Sequence, residues 1–200
     1  MRQKNPDICN KALVALNVIV FFILELLGDT EDAIFMYEHG AMFPIEVLET
    51  GQWYRLFTCM FLHFGIRHLG NNMVVLFFLG DNLERALGHV KYVVLYVLSG
   101  LCGSLLSAWM MLRSGAYAVS AGASGAIFGV MGGLIYVLIR NHGRLEDLTA
   151  KRLVFMAALS LYLGFTSTGV DNYAHLGGLL SGLALAVLLY RKKRYNRTSD

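Results

Sequence analysis

Charge is scarce in this chain. Only 16% of its 200 residues are Asp, Glu, Lys or Arg, against about a quarter in ordinary soluble domains, while 56% are hydrophobic and the mean hydropathy is +0.53. That balance excludes a typical water-soluble globule. Cysteine is scarce as well: Cys9, Cys59 and Cys102 are odd in number and lack CxxC spacing. Neither a disulfide framework nor a thiolate metal site is indicated, and the three read as packing residues. No HExxH occurs, and His63 and His68, five apart, are poorly spaced to chelate from one helix face. The hydrolase elbow GxSxG is also missing, because position 126 is Ala126 rather than glycine. No cofactor or metal is implied.

What remains is apolar sequence in membrane-length pieces. Spanning the hydrocarbon takes about 20 mostly apolar residues, and six stretches qualify, at approximately 12–28, 61–79, 90–112, 122–140, 153–169 and 172–190. The expectation is an all-α, polytopic membrane protein, one domain over 1–200, with little left for a soluble part. Arg2, Lys4 and Lys11 before the first stretch suggest a signal peptide, but Asp29-Thr30-Glu31-Asp32 follows instead of a small-residue cleavage site, so it is read as a helix.

Lys and Arg orient the bundle. With both termini cytoplasmic, 14 of the 17 basic residues fall inside and only Arg55, Arg67 and Arg113 lie outside. Arg191-Lys192-Lys193-Arg194 then reads as a stop signal and lipid-headgroup anchor, not a nucleic-acid site. The outer segment 29–54 carries six acids, mixes them with Met42-Phe43-Pro44-Ile45, and closes on Trp53-Tyr54, so it is expected to lie partly in the outer leaflet.

Two residues that favour water interrupt the oily stretches. Ser124 lies in Gly122-Ala123-Ser124-Gly125 and His175 in Ala174-His175-Leu176-Gly177-Gly178. In this topology the second, fourth and sixth spans all enter from outside, so Ser124 and His175 share a depth with His68 and Asn72. The latter are four apart and lie on one helix face. A hydroxyl and an imidazole at one membrane depth suggest a nucleophile and its base. Gly125, Gly129 and Gly133 on the fourth span, with Gly178 and Gly182 on the sixth, form small-xxx-small faces that allow close helix approach. Phe128, four after Ser124, is placed to stack on the imidazole. The uncharged run 116–121 is expected to dip into the bilayer as irregular chain enclosed by protein. Ser104, Ser107, Ser160 and Ser181 read as packing residues, Glu25 as an interhelical partner, Asp171 as an N-cap, and Glu84 with Arg85 as a helix end finished by Gly88.

These residues carry a family resemblance. Trp53-Tyr54-Arg55, the HxxxN motif of His68-Leu69-Gly70-Asn71-Asn72 with His63 ahead of it, the GxSG of Gly122–Gly125, and Ala174-His175 occur in order over nearly the whole chain. The chain resembles the rhomboid intramembrane serine proteases in their minimal six-helix prokaryotic form, which implies a multi-pass protein of the prokaryotic plasma membrane. The resemblance implies a Ser124–His175 dyad and an oxyanion hole of the Ser124 N–H, His68 and Asn72. His63, Phe128, Gly122, Trp53 and Arg55 would be supporting residues. It further implies transmembrane protein substrates cleaved near the outer face, in a lipid setting, with the fifth helix and the 166–170 loop as gate and cap. The position of Phe128 is often tyrosine in the family, so a hydroxyl is missing here. Asn172 matches a position sometimes seen lining the cavity.

Two other readings separate cleanly from this one. A catalytically silent relative would lack Ser124 or His175. A transporter would show repeated halves and midplane charges, whereas the polar groups here gather toward one face.

Overall fold

The computed structural model describes residues 8–145, 148–167 and 169–191. Arg2, Lys4, Lys192, Lys193, Arg194 and Arg197, which carry part of the charge argument, lie outside the described residues. In chain order the helices are α1 (Ile8–Leu27), α2 (Ala33–Glu38), α3 (Pro44–Leu48), α4 (Arg55–Thr58), α5 (Gly65–Leu87), α6 (His89–Ser114), α7 (Ser124–Arg140), α8 (Ala150–Thr166) and α9 (Asn172–Leu189). A 3-10 turn, Cys59–Phe61, precedes α5, and a two-stranded antiparallel ribbon, Arg144–Leu145 with Leu148–Thr149, joins α7 to α8.

Six of these helices have 17 or more residues, at the positions of the six apolar stretches. Three of them, α1, α6 and α9, are long and apolar enough to cross a membrane, and α7 is a shorter apolar helix. The second stretch is displaced from its expected bounds. Gly65, at φ +72°, starts α5 four residues late and leaves His63 on the turn before it. At the other end an Asp81–Arg85 ion pair of 2.5 Å carries the helix past the apolar run to Leu87.

Helix α1 is built inside out relative to a soluble helix. Leu16, Ile19, Phe22, Ile23, Leu26 and Leu27 are exposed while Asn10 and Asn17 are fully buried. In hydrocarbon there is no penalty for exposing Leu, and polar side chains must find partners within the protein. Asn10 does so: its amide donates to the Phe77 carbonyl at 3.1 Å and its oxygen accepts from the Tyr92 hydroxyl at 2.7 Å.

Glu84 also has a larger role than a helix end. It is fully buried, and its carboxylate accepts the Cys9 and Asn10 backbone N–H groups at 3.0 and 2.7 Å and pairs with His89 Nδ1. It thereby caps α1 and locks it to the α5–α6 corner. The ligand atoms of Cys9, Glu84 and His89 lie within 4.8 Å of one another, a grouping that could hold an ion. The hydrogen bonds already account for its carboxylate. Glu25 is satisfied locally, accepting from Thr30 Oγ1 at 2.6 Å instead of from another helix.

Helices α7 and α9 meet backbone to backbone. A Cβ on Gly178 would strike the Gly125 carbonyl, and one on Gly182 would strike that of Gly129. Helix α7 is the centre of the bundle, with 13 of its 17 residues buried. Helix α8 is its opposite, burying only Leu153, Ala157 and Gly164.

The segment between α1 and α5 folds on itself. Asp32 caps α2, accepting from Ile34 N–H at 2.7 Å, and Pro44 opens α3. Arg55 is buried, donating to the carbonyls of Tyr37 and Ala41 at 2.7 and 2.9 Å and to Gln52 Oε1 at 2.8 Å, with its guanidinium over the Tyr37 ring. Hydrogen bonds from Tyr37, first, and Thr50, second, hold the Glu46 carboxyl below its ordinary value of 4.5.

Gly178→Ala is expected to overpack the α7–α9 seam and destabilise the fold by about 1–3 kcal/mol. Gly70→Ala, where a Cβ meets nothing within 4 Å, should leave the melting temperature in detergent unchanged or raised. Because the folded value of Glu46 is lowered, its contribution is complete above the ordinary carboxylate range and is lost as pH falls through the lowered value. A Tm deficit of Glu46→Gln at neutral pH should therefore vanish in acid; a pH-independent deficit would contradict this.

Candidate active site

The N-terminal ends of α5, α7 and α9 converge, and each contributes to one site. Ser124 is the first residue of α7, after Ala123 at its N-cap. The first intrahelical bond at this end runs from Ile127 N–H to the Ala123 carbonyl, so the Ser124 N–H is one of the unpaired donors of a helix start, at the positive end of the dipole. His175 lies one turn into α9, whose N-cap is Asp171: the carboxylate accepts the Ala174 N–H at 3.0 Å. The imidazole Nε2 stands 2.9 Å from Ser124 Oγ. Phe128 stacks on that ring, with centroids 4.3 Å apart and planes 11° from parallel. Both Ser124 and His175 are half-buried. His175 Nδ1 is buried and, among the described residues, has no hydrogen-bond partner. The ring is therefore oriented by stacking and by its helix.

Gly122 shapes the space in front of the hydroxyl. Its φ is +139°, and a Cβ there would lie 2.8 and 2.9 Å from His68 Cε1 and Nε2 and 3.7 Å from Asn72 Nδ2. Only glycine offers both this backbone and this clearance. The Asn72 amide is buried, and its Nδ2 has no acceptor among the described residues. An unpaired buried donor is costly to keep, and here it stands with His68 beside the backbone that leads into Ser124.

Support comes from the turn before α5. The Cys59 carbonyl accepts the Gly122 N–H at 2.9 Å, and fully buried His63 accepts the Ala123 N–H on Nε2 at 3.4 Å. His63 also packs edge-on to His68, with ring centroids 5.2 Å apart. Protein encloses only the second half of the run ahead of Ser124: residues 119–121 are half-buried, with Ser120 and Met42 exchanging backbone hydrogen bonds of 2.9 Å in both directions, whereas Ala116, Tyr117 and Ala118 are exposed.

The structure thus brings together Ser124, His175, His68, Asn72, Gly122, His63 and Phe128. It separates Trp53 and Arg55 from them, since Arg55 organises the α2–α4 segment and Trp53 is exposed. Sequence reasoning missed Ser107 and Ser120, which both donate to Asp171 Oδ2, at 2.5 and 2.6 Å. Serines in apolar sequence carry no mark that separates packing from this role.

Known proteins resemble this chain over most of its length. A profile of the Rhomboid domain matches residues 50–192. The chain belongs to the rhomboid family. Rhomboid protease GluP of Bacillus subtilis (strain 168) is 34% identical over 176 residues, covering 88% of this chain and 34% of that protein. RHOMBOID-like protein 4 of Arabidopsis thaliana is 39% identical over 158 residues, 78% of this chain and 39% of that one. RHOMBOID-like protein 2 of the same plant is also 39% identical over 158 residues, with 48% of its length covered. This rhomboid chain therefore spans a third to a half of the length of these relatives, and the apolar helices make it a multi-pass membrane protein.

The glycine at position 122 gives this rhomboid site a sharp test. Gly122→Ala is expected to leave the fold intact in detergent while displacing His68; retention of the wild-type His68 position in a crystal structure of the variant would contradict the clearance argument.

Proposed function

We propose that the chain is an intramembrane serine endopeptidase that cleaves transmembrane protein substrates with a Ser124–His175 dyad. The observation that carries this reading is the 2.9 Å approach of Ser124 Oγ to His175 Nε2 beside an unpaired Asn72 amide. Ser124 Oγ attacks the scissile carbonyl and gives its proton to His175 Nε2. The resulting oxyanion is received by the Ser124 N–H, His68 and Asn72 Nδ2. Collapse breaks the C–N bond, and His175 returns the proton to the leaving amine. Water, deprotonated by the same imidazole, then hydrolyses the acyl-enzyme. The dyad works without an acid because Phe128 holds the ring that a carboxylate would otherwise orient.

The six long helices act as six spans of one domain over residues 1–200, with both termini cytoplasmic. The basic residues favour this orientation, which puts the site toward the outer leaflet of a prokaryotic plasma membrane. A substrate helix must unwind locally to present its amide. Helix α8, with Phe155, Tyr162 and Phe165 exposed and only three residues buried, serves as the gate through which it arrives.

The test is cleavage of a fluorescent transmembrane substrate by purified protein in detergent. Ser124→Ala and His175→Ala should be inactive, and a fluorophosphonate should label wild type but not Ser124→Ala. Cleavage that survives both substitutions would overturn the dyad. His68→Ala and Asn72→Ala should each lower kcat by ~100- to 1,000-fold, as loss of one oxyanion donor does elsewhere, with little change in KM. A rise in KM alone would make them substrate-holding residues instead.

A further inference from the structure

One carboxylate gathers every segment that carries the proposed dyad. Asp171 Oδ2 accepts from Ser107 Oγ of α6 at 2.5 Å and from Ser120 Oγ, four residues before Ser124, at 2.6 Å. Its Oδ1 accepts the Ala174 N–H at 3.0 Å, and its backbone carbonyl accepts the His175 N–H at 3.2 Å. Ser120 is in turn paired through its backbone to Met42. Asp171 therefore joins α6, the chain entering the nucleophile and the first turn of the helix bearing the base. Ser107 is fully buried, so its hydroxyl depends on that carboxylate for an acceptor. An N-cap needs only one oxygen; the second is spent on two serines from elsewhere in the chain.

We propose that Asp171 is a positioning residue, a clamp that sets the reach of His175 Nε2 to Ser124 Oγ by tying the run before Ser124 to the start of α9. The proposal rests on the dyad reading above. The Gly125–Gly178 seam fixes the two helices along their length, but not the irregular chain 116–123, whose path decides where α7 begins. Two charge-assisted hydrogen bonds from serine hydroxyls are shorter and stronger than neutral ones. A misplacement of about 1 Å in a reacting group can cost ~100-fold in rate.

The experiment compares wild type, Ser124→Ala, Asp171→Ala, Asp171→Asn, Ser107→Ala/Ser120→Ala and the Asp171→Ala triple variant, measuring kcat, KM, fluorophosphonate labelling rate and Tm in detergent. Asp171→Ala and the double serine variant should each lower kcat and the labelling rate by ~10- to 100-fold, consistent with a displaced base, with KM within about twofold. The triple variant should be no slower than the slower of the two, because both break one clamp. Asp171→Asn keeps an N-cap acceptor and a partner for the hydroxyls, and should recover most of the rate. Unimpaired kcat in Asp171→Ala, additive losses in the triple variant, or losses that track Tm and are not rescued by Asn would each overturn the clamp. A Ser124→Ala protein that cleaves like wild type would instead overturn the dyad reading, and the clamp with it.

Discussion

The backbones of α7 and α9 touch at glycines, and the geometry of the site depends on that contact. With no hydrophobic drive between helices in lipid, association rests on packing and on polar contacts. Gly125 against Gly178 and Gly129 against Gly182 leave no room for a side chain between the helices. At this separation a serine on the first residue of one helix reaches a histidine one turn into the other. A single methyl group at the seam would push the two apart by more than a hydrogen bond can stretch.

Polar groups solve the converse problem. A site that handles water must sit in a fold that excludes it, and unpaired polar atoms inside that fold are expensive. At the end away from the site, Glu84 absorbs the N–H groups that open α1, and Asn10 is enclosed between Phe77 and Tyr92. At the site end, Arg55 fixes the α2–α4 segment through two carbonyls, and Ser120 is bridged to Met42. The Asn72 amide is buried and unpaired where the reading of this rhomboid needs a donor.

Much of this was legible in sequence, for identifiable reasons. The glycine spacing on the two helices, the four-residue step from Ser124 to Phe128 and the pairing of His68 with Asn72 are periodic, and helix periodicity survives into the structure. Contacts that cross the bundle carry no such period. Glu84 read as a helix end because nothing in its neighbourhood points to the α1 N-terminus, more than 70 residues away. Ser107 read as packing, and Ser120 only as part of an uncharged run, because their shared acceptor, Asp171, lies 64 and 51 residues on. The start of α5 slipped because Gly65 takes a left-handed φ that hydropathy does not record. Arg55 belonged to a recognisable motif, yet its position away from the dyad depends on how α2 and α3 fold.

The central claim is that Ser124 is a nucleophile facing preformed oxyanion donors, and a crystal structure of the protein inactivated by a fluorophosphonate tests it most directly. The account predicts phosphorus bonded to Ser124 Oγ, with its free oxygen at hydrogen-bond distance from the Ser124 N–H and Asn72 Nδ2 and beside His68. A phosphonyl oxygen turned away from all three, or phosphorus on another residue, would contradict it.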